Sequence, residues 1–193
     1  MKRGNSTRSV HGGRKEGEGP LSPPILQTST FEFANHEAML AAFEARERGA
    51  VYTRYTNPTL EECERRLAEL EGTEDAWVFG SGMAAITSAV LSQVSAGDRV
   101  LAQRELYGGT YEFFAAIAPR LGLTVDWYDI GDEASFQAGL ANKPKLIYIE
   151  SPTNPLLRCA DLEACAAAAR KVGAVTVVDS TFATPLNLCL LYT

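Results

Sequence analysis

Gly80-Ser81-Gly82-Met83 runs directly into a helix-forming stretch that begins near Ala84. A junction of that kind presents backbone N–H groups without intrahelical partners at the positive end of a helix dipole. Its glycines admit close backbone approach, so it can cradle a phosphate. Read two residues further, as GSGMAA, the segment also satisfies the Gly-x-Gly-x-x-Gly/Ala pattern of dinucleotide folds, with Glu105 near the place of a ribose-binding acid; a plain structural turn is the third reading. Asp179 follows the apolar run VTVV. A carboxylate there can hold a proton on a heteroaromatic nitrogen, or it can cap the turn that follows. Tyr107, in LYGGT, is placed to lie against a planar ring or to serve as packing. Tyr52, Arg54 and Tyr55 sit together in an irregular stretch. Arginine binds phosphate bidentately and a tyrosine hydroxyl adds a donor, although a solvated charge among packed aromatics has the same composition.

The elements that must position these residues follow from hydrophobic period and turn chemistry. Residues 1–24, rich in glycine and carrying Pro20, Pro23 and Pro24, read as an extended arm. Helical spacing of Ala38, Met39, Ala42, Phe43 and Ala45 predicts a helix over 36–48, stopped at Gly49. Asn57-Pro58 opens a second helix over 59–71 with Leu60, Cys63, Leu67 and Leu70 on one face and Gly72 after its end. Beyond it, candidate strands at 76–79, 99–102, 124–128, 146–149 and 174–178 alternate with helices at about 83–94, 109–121, 133–141 and 161–172. Nearly unbroken apolar strands, each reached through a helix, predict an α/β fold with a mostly parallel sheet covered on both faces. In such sheets the ligand lies beyond the carboxyl ends of the strands, where GSGM, QRELYGGT, ESPTNP and DSTFATP fall. The expected division is an N-terminal arm with an irregular segment over 1–58, followed by the α/β domain over 59–193.

Composition narrows the partners. A net charge of −6 argues against nucleic acid or anionic membrane as the main partner and leaves a small molecule. No run approaches the roughly 18 apolar residues of a membrane span. Cysteines at 63, 159, 165 and 189 form no CxxC pair and lie far in sequence from His11 and His36, so no metal site is expected. Reduced, buried thiols in a cytoplasmic protein are the expectation.

A glycine loop and an Arg/Tyr pair for one phosphate, an aromatic stacker and a strand-end aspartate together match pyridoxal phosphate better than a dinucleotide, which needs no pyridinium partner. The segments TRSVHGG, PLSPPILQTSTFEF, YTRYTNPT, LAELEG, GSGMAAI, LYGGTY, ESPTNP and VDSTFATP resemble, in number and order, the Cys/Met-metabolism family of pyridoxal-phosphate enzymes. That family includes cystathionine γ-synthase, cystathionine γ-lyase, methionine γ-lyase and the O-acylhomoserine sulfhydrylases. The resemblance implies the large domain of a fold-type I enzyme in a homotetramer with active sites shared between subunits. It implies backbone donors to the cofactor phosphate from Gly82 and Met83, and contacts from Tyr52 and Arg54 to the phosphate in the adjacent subunit. Tyr107 would stack on the ring and assist proton movement, Asn154 would lie close to the cofactor, and Asp179 would hold the ring nitrogen.

Departures from the pattern carry expectations of their own. Ser180 stands where the family usually has asparagine, and Leu26 where a tyrosine is common. Gly109 stands where methionine γ-lyases place a reactive cysteine, which favours cystathionine-handling or sulfhydrylase chemistry. The family's Schiff-base lysine segment and C-terminal domain have no counterpart among these residues; the lysines are Lys2, Lys15, Lys143, Lys145 and Lys171. The expectation is therefore a truncated chain, inactive alone, that handles an amino-acid substrate only as part of a homo-oligomer or beside a full-length homologue reached through the N-terminal arm. A non-catalytic partner and a dinucleotide-dependent dehydrogenase half-domain are the alternative readings.

Overall fold

The computed structural model describes residues 4–12, 22–44 and 50–188. The chain divides into two compact units, Met1–Val78 and Phe79–Thr193. The first unit thus continues well past residue 58, where the sequence reading placed its boundary.

In the first unit the stretch expected to be wholly extended contains a helix, α1 (Asn5–His11). Its cause is tertiary. Gly12 is buried, and a Cβ there would collide with the Arg8 carbonyl and with Glu69 Cγ, so only glycine allows this approach to α3 (Pro58–Glu71). Arg8 adds an ion pair to Glu69 at 3.5 Å. Residues 13–21, with Pro20, lie outside the described residues. Helix α2 (His36–Glu44) occupies the predicted place, its expected end at Gly49 also lying outside them, but it buries none of its side chains and Phe43 is exposed. The start of α3 is set as the sequence suggests: the Asn57 side chain accepts the Thr59 N–H at 2.9 Å, Pro58 needs no acceptor, and Gly72 ends the helix at φ 72°. Its buried positions are Glu64 and Ala68, whereas Leu60 and Cys63 of the expected apolar face are exposed. A carboxylate can occupy that place because Glu64 Oε1 accepts the Val78 N–H at 3.0 Å.

The second unit is a four-stranded parallel sheet of β1 (Arg99–Gln103), β2 (Thr124–Tyr128), β3 (Leu146–Glu150) and β4 (Val175–Asp179), ordered β2-β1-β3-β4. The span expected as a strand, 76–79, is not part of the sheet; the Val78 N–H goes to the Glu64 side chain instead of a ladder. Alternation along β1 and β3 builds two cores. Val100, Ala102, Leu146 and Tyr148 pack with Phe113 and Phe114 on one face, and Leu101, Ile147 and Ile149 pack with Phe136, Leu140 and Leu162 on the other.

Helix α4 (Gly82–Leu91) leads into β1, α6 (Glu133–Ala141) connects β2 to β3, α7 (Leu162–Val172) connects β3 to β4, and a short α8 (Thr184–Asn187) follows β4. The helix expected over 109–121 is broken into α5 (Gly108–Glu112), one π turn (Phe113–Ile117) and one 3-10 turn (Ala118–Leu121). Pro119 cannot donate to the i−4 carbonyl, and Gly122 stops the run at φ 83°. The cysteine expectation is corrected in part: Cys63 and Cys159 are exposed, Cys165 is half-buried, and Cys189 lies outside the described residues.

Candidate functional site

Beyond the carboxyl ends of β1, β3 and β4 lies a cavity of about 400 Å³, within the range of about 300–1,000 Å³ typical of small-molecule sites. Its wall includes Ser81, Gly82, Met83, Tyr107, Asn154 and Asp179. Five of the sequence-predicted site residues, Gly82, Met83, Tyr107, Asn154 and Asp179, are thus brought together from loops far apart in the chain.

The first turn of α4 forms one wall. Ser81 is its N-cap, with Oγ accepting the Ala84 N–H at 3.1 Å. The Gly82 and Met83 N–H groups precede the first intrahelical bond, that of Ala85 to the Ser81 carbonyl, and so remain donors at the positive end of the dipole. Space is kept open there, because a Cβ built on Gly80 or Gly82 meets no atom within 4 Å.

Asp179 ends β4, and both of its oxygens are oriented. Oδ1 accepts the Thr181 N–H at 3.0 Å and the Thr181 hydroxyl at 2.5 Å, which is the turn-capping role. Oδ2 accepts the Tyr148 hydroxyl at 3.2 Å. Burial, then the neighbouring Asp179 charge, pushes the Tyr148 phenol far up, so it stays protonated and donates. A carboxylate oriented this way retains acceptor capacity for a cationic ring N–H.

Sequence reasoning missed what holds the loops. Glu150, at the end of β3 and only 4% exposed, accepts the Tyr107 N–H at Oε2 (2.7 Å) and the Asn154 N–H at Oε1 (2.8 Å). Gln103, fully buried at the end of β1, donates through Nε2 to the carbonyls of Glu105 (2.7 Å) and Glu150 (3.2 Å). The signal was present in LIYIE, since an acid that closes a fully buried strand must find donors.

Tyr52 and Arg54 do not belong to this wall. They lie in the first unit beside Leu26, Gln27, Thr28 and Ser29. There the Arg54 guanidinium sits 4.8 Å from the Tyr52 ring centre and 5.5 Å from that of Tyr55. Glu105 is likewise away from the cavity wall and pairs with Arg158 at 3.4 Å. The dinucleotide reading thereby loses its ribose-binding acid.

A parallel α/β domain with a donor-bearing helix start, an exposed aromatic and a strand-end carboxylate around one cavity can hold a phosphate, a planar ring and a cationic ring N–H. The chain belongs to the Cys/Met metabolism PLP-dependent enzyme family, whose model matches residues 6–191. It is 40% identical over 187 residues to cystathionine gamma-synthase of Escherichia coli, covering 96% of this chain and 46% of that protein. It is 39% identical over 184 residues to L-methionine gamma-lyase of Pseudomonas putida, covering 94% and 46%. The crystal structure of a candidate O-acetylhomoserine (thiol)-lyase from Campylobacter jejuni, which carries N'-pyridoxyl-lysine-5'-monophosphate, superposes with a TM-score of 0.91 at 31% identity, over 99% of this chain and 47% of that one. The chain therefore spans about half the length of the relatives it matches.

The cavity fits pyridoxal phosphate in its donors, its open glycine wall and its carboxylate. A covalent anchor is not part of the wall: among the described residues no lysine lines it.

Proposed function

We propose that this chain supplies the cofactor-binding half of a pyridoxal-phosphate enzyme that carries out elimination or replacement on sulfur amino acids of the cystathionine or O-acylhomoserine type. The observation that supports it most directly is that the start of α4, Tyr107 and Asp179 face one cavity at the carboxyl edge of a parallel sheet. When bound, the cofactor supplies an electron sink for the carbanions on which β- and γ-elimination depend. The chain's own residues bind and orient. Gly82 and Met83 N–H groups would hold the phosphate, Asp179 would keep a proton on the ring nitrogen, Asn154 would lie close to the cofactor, and Tyr107 would stack on the ring and hold or pass a proton beside the substrate. Gly109 in place of a reactive cysteine favours the cystathionine and O-acylhomoserine subgroups over methionine cleavage. Tyr52 and Arg54 serve the phosphate of a neighbouring subunit, with 1–58 as the inter-subunit segment of a homo-oligomer or of an assembly with a full-length homologue. On this reading its compartment is the cytoplasm. Among the described residues no helix is long and apolar enough to cross a membrane.

Equilibrium dialysis of the 193-residue chain against pyridoxal phosphate tests the reading. Binding should weaken about tenfold or more in Asp179→Ala, the scale of one hydrogen bond to a charged group. Binding of NADH in place of pyridoxal phosphate, or indifference to Asp179→Ala, would overturn it.

A further inference from the structure

The cavity's geometry depends on two loops that no strand pairing fixes. Tyr107 lies four positions after the end of β1 and Asn154 four after the end of β3. Neither side chain is tied down by a hydrogen bond of its own among the described contacts, and Tyr107 is 49% exposed. What joins the loops is one buried side chain, whose two oxygens each take one backbone N–H, at 2.7 and 2.8 Å.

We propose that Glu150 is a positioning residue for this cavity, a bidentate clamp that fixes the Tyr107 ring and the Asn154 amide relative to each other before any ligand arrives. Three features carry the assignment. The acceptors are matched to the donors: a carboxylate offers acceptors at both oxygens, and both N–H groups meeting it are backbone groups that would otherwise be orphaned. The clamp is anchored at its base, because the Gln103 amide ties the Glu150 carbonyl to that of Glu105, and the Tyr128 hydroxyl reaches Gln103 Oε1 at 3.4 Å. Its place in the sheet is fixed by register, since Glu150 sits opposite Asp179 on the neighbouring strand. The stacking residue, the amide and the ring-nitrogen acceptor are therefore all referenced to the ends of β3 and β4. Tyr107 is also the N-cap residue of α5 and has no side-chain capping bond, so its N–H bond to Glu150 sets where that helix starts.

The step from clamp to ligand rests on the proposed cofactor reading, and the two parts separate experimentally. Glutamine at 150 keeps the size but offers one acceptor oxygen, and its NH₂ confronts the other N–H. Aspartate keeps the charge but is one methylene too short to reach both. Hydrogen exchange on the full chain should therefore show the Tyr107 and Asn154 amides protected in the wild type. Glu150→Gln should lose about tenfold or more of that protection at one of them at least, with the amides of Ile147 and Ile149 in β3 unchanged. Tyr107 and Asn154 amides that exchange in the wild type as fast as free loop amides would overturn the clamp whatever the ligand. Titration with pyridoxal phosphate supplies the second arm. Glu150→Gln and Glu150→Asp should each bind it about tenfold more weakly than wild type. Unchanged affinity alongside lost amide protection would overturn the positioning role. Protected amides in a wild type that binds no pyridoxal phosphate would leave the clamp standing and count against the cofactor reading alone.

Discussion

Asp179 and Glu150 are acids at equivalent strand ends, yet their environments give them different work. Asp179 is half-buried and fully oriented by Tyr148 and Thr181, whereas Glu150 is enclosed. Burial pushes the Glu150 carboxyl above its usual 4.5; the N–H groups of Tyr107 and Asn154 pull the other way, and the Asp179 and Glu105 charges add to the rise. A carboxyl whose pKa is higher folded than unfolded contributes stability in acid and loses it as pH climbs through the folded value. Urea titrations across the range from pH 4.5 to neutrality should thus show the wild type losing stability relative to Glu150→Gln as pH rises; a flat difference would mean that burial does not govern this group. Sequence made Asp179 conspicuous because a lone acid after VTVV has an obvious use. Glu150 carried the same signature after LIYI, but its partners are backbone N–H groups, which no residue letter announces.

The helix that opens the cavity is stabilised at its first residue. Loss of the Ser81 cap in Ser81→Ala should cost about 1 kcal/mol of unfolding free energy, measurable by chemical denaturation, and should loosen the turn that presents the Gly82 and Met83 donors. Helix α6 owes its seat on the sheet to an absent side chain: a Cβ on Gly139 would run into the Leu101 methyls. Gly139→Ala should therefore destabilise by about 1–3 kcal/mol through overpacking, despite alanine's better helix propensity. A more stable variant would show that α6 can back away. Existence and type of the regular elements were legible from period and caps, as α3, α6 and β2 illustrate. The α5 segment was not, because Pro119 and Gly122 break a pattern whose apolar spacing alone reads as continuous. Residues 76–79 failed for the opposite reason: strand propensity is satisfied only by a partner, and Val78 found Glu64 instead.

At the scale of the molecule, the parallel arrangement sorts chemistry to one edge. Every strand's carboxyl end lies on the cavity side, while Lys145 immediately precedes β3, Lys143 lies two residues earlier, and Lys171 sits in the last turn of α7, which feeds the start of β4. The described lysines are consequently at the amino edge of the sheet. Borohydride treatment in the presence of pyridoxal phosphate, followed by peptide mass mapping, should label none of Lys143, Lys145 and Lys171 selectively. One dominant adduct at any of them, abolished by Asp179→Ala, would show that this chain recruits its own anchor. Arg54, held between Tyr52 and Tyr55 in the first unit, is expected to act on a neighbouring copy. On that view Arg54→Ala weakens pyridoxal phosphate binding most at protein concentrations where copies associate, as sedimentation and dialysis on the same samples would register.

By itself the sequence determined the alternation of helices and parallel strands, the phosphate-suited start of α4, the strand-end Asp179 and the family, because these depend on local period, capping chemistry and short motifs that are written consecutively. Tertiary structure alone decided which distant loops share a cavity, that Glu150 and Gln103 hold them, that a glycine-rich start folds into α1 against α3, and that the described lysines lie at the opposite edge of the sheet. Those outcomes depend on desolvation and on hydrogen bonds to backbone groups, and both are set by what lies across space rather than by what comes next in the chain.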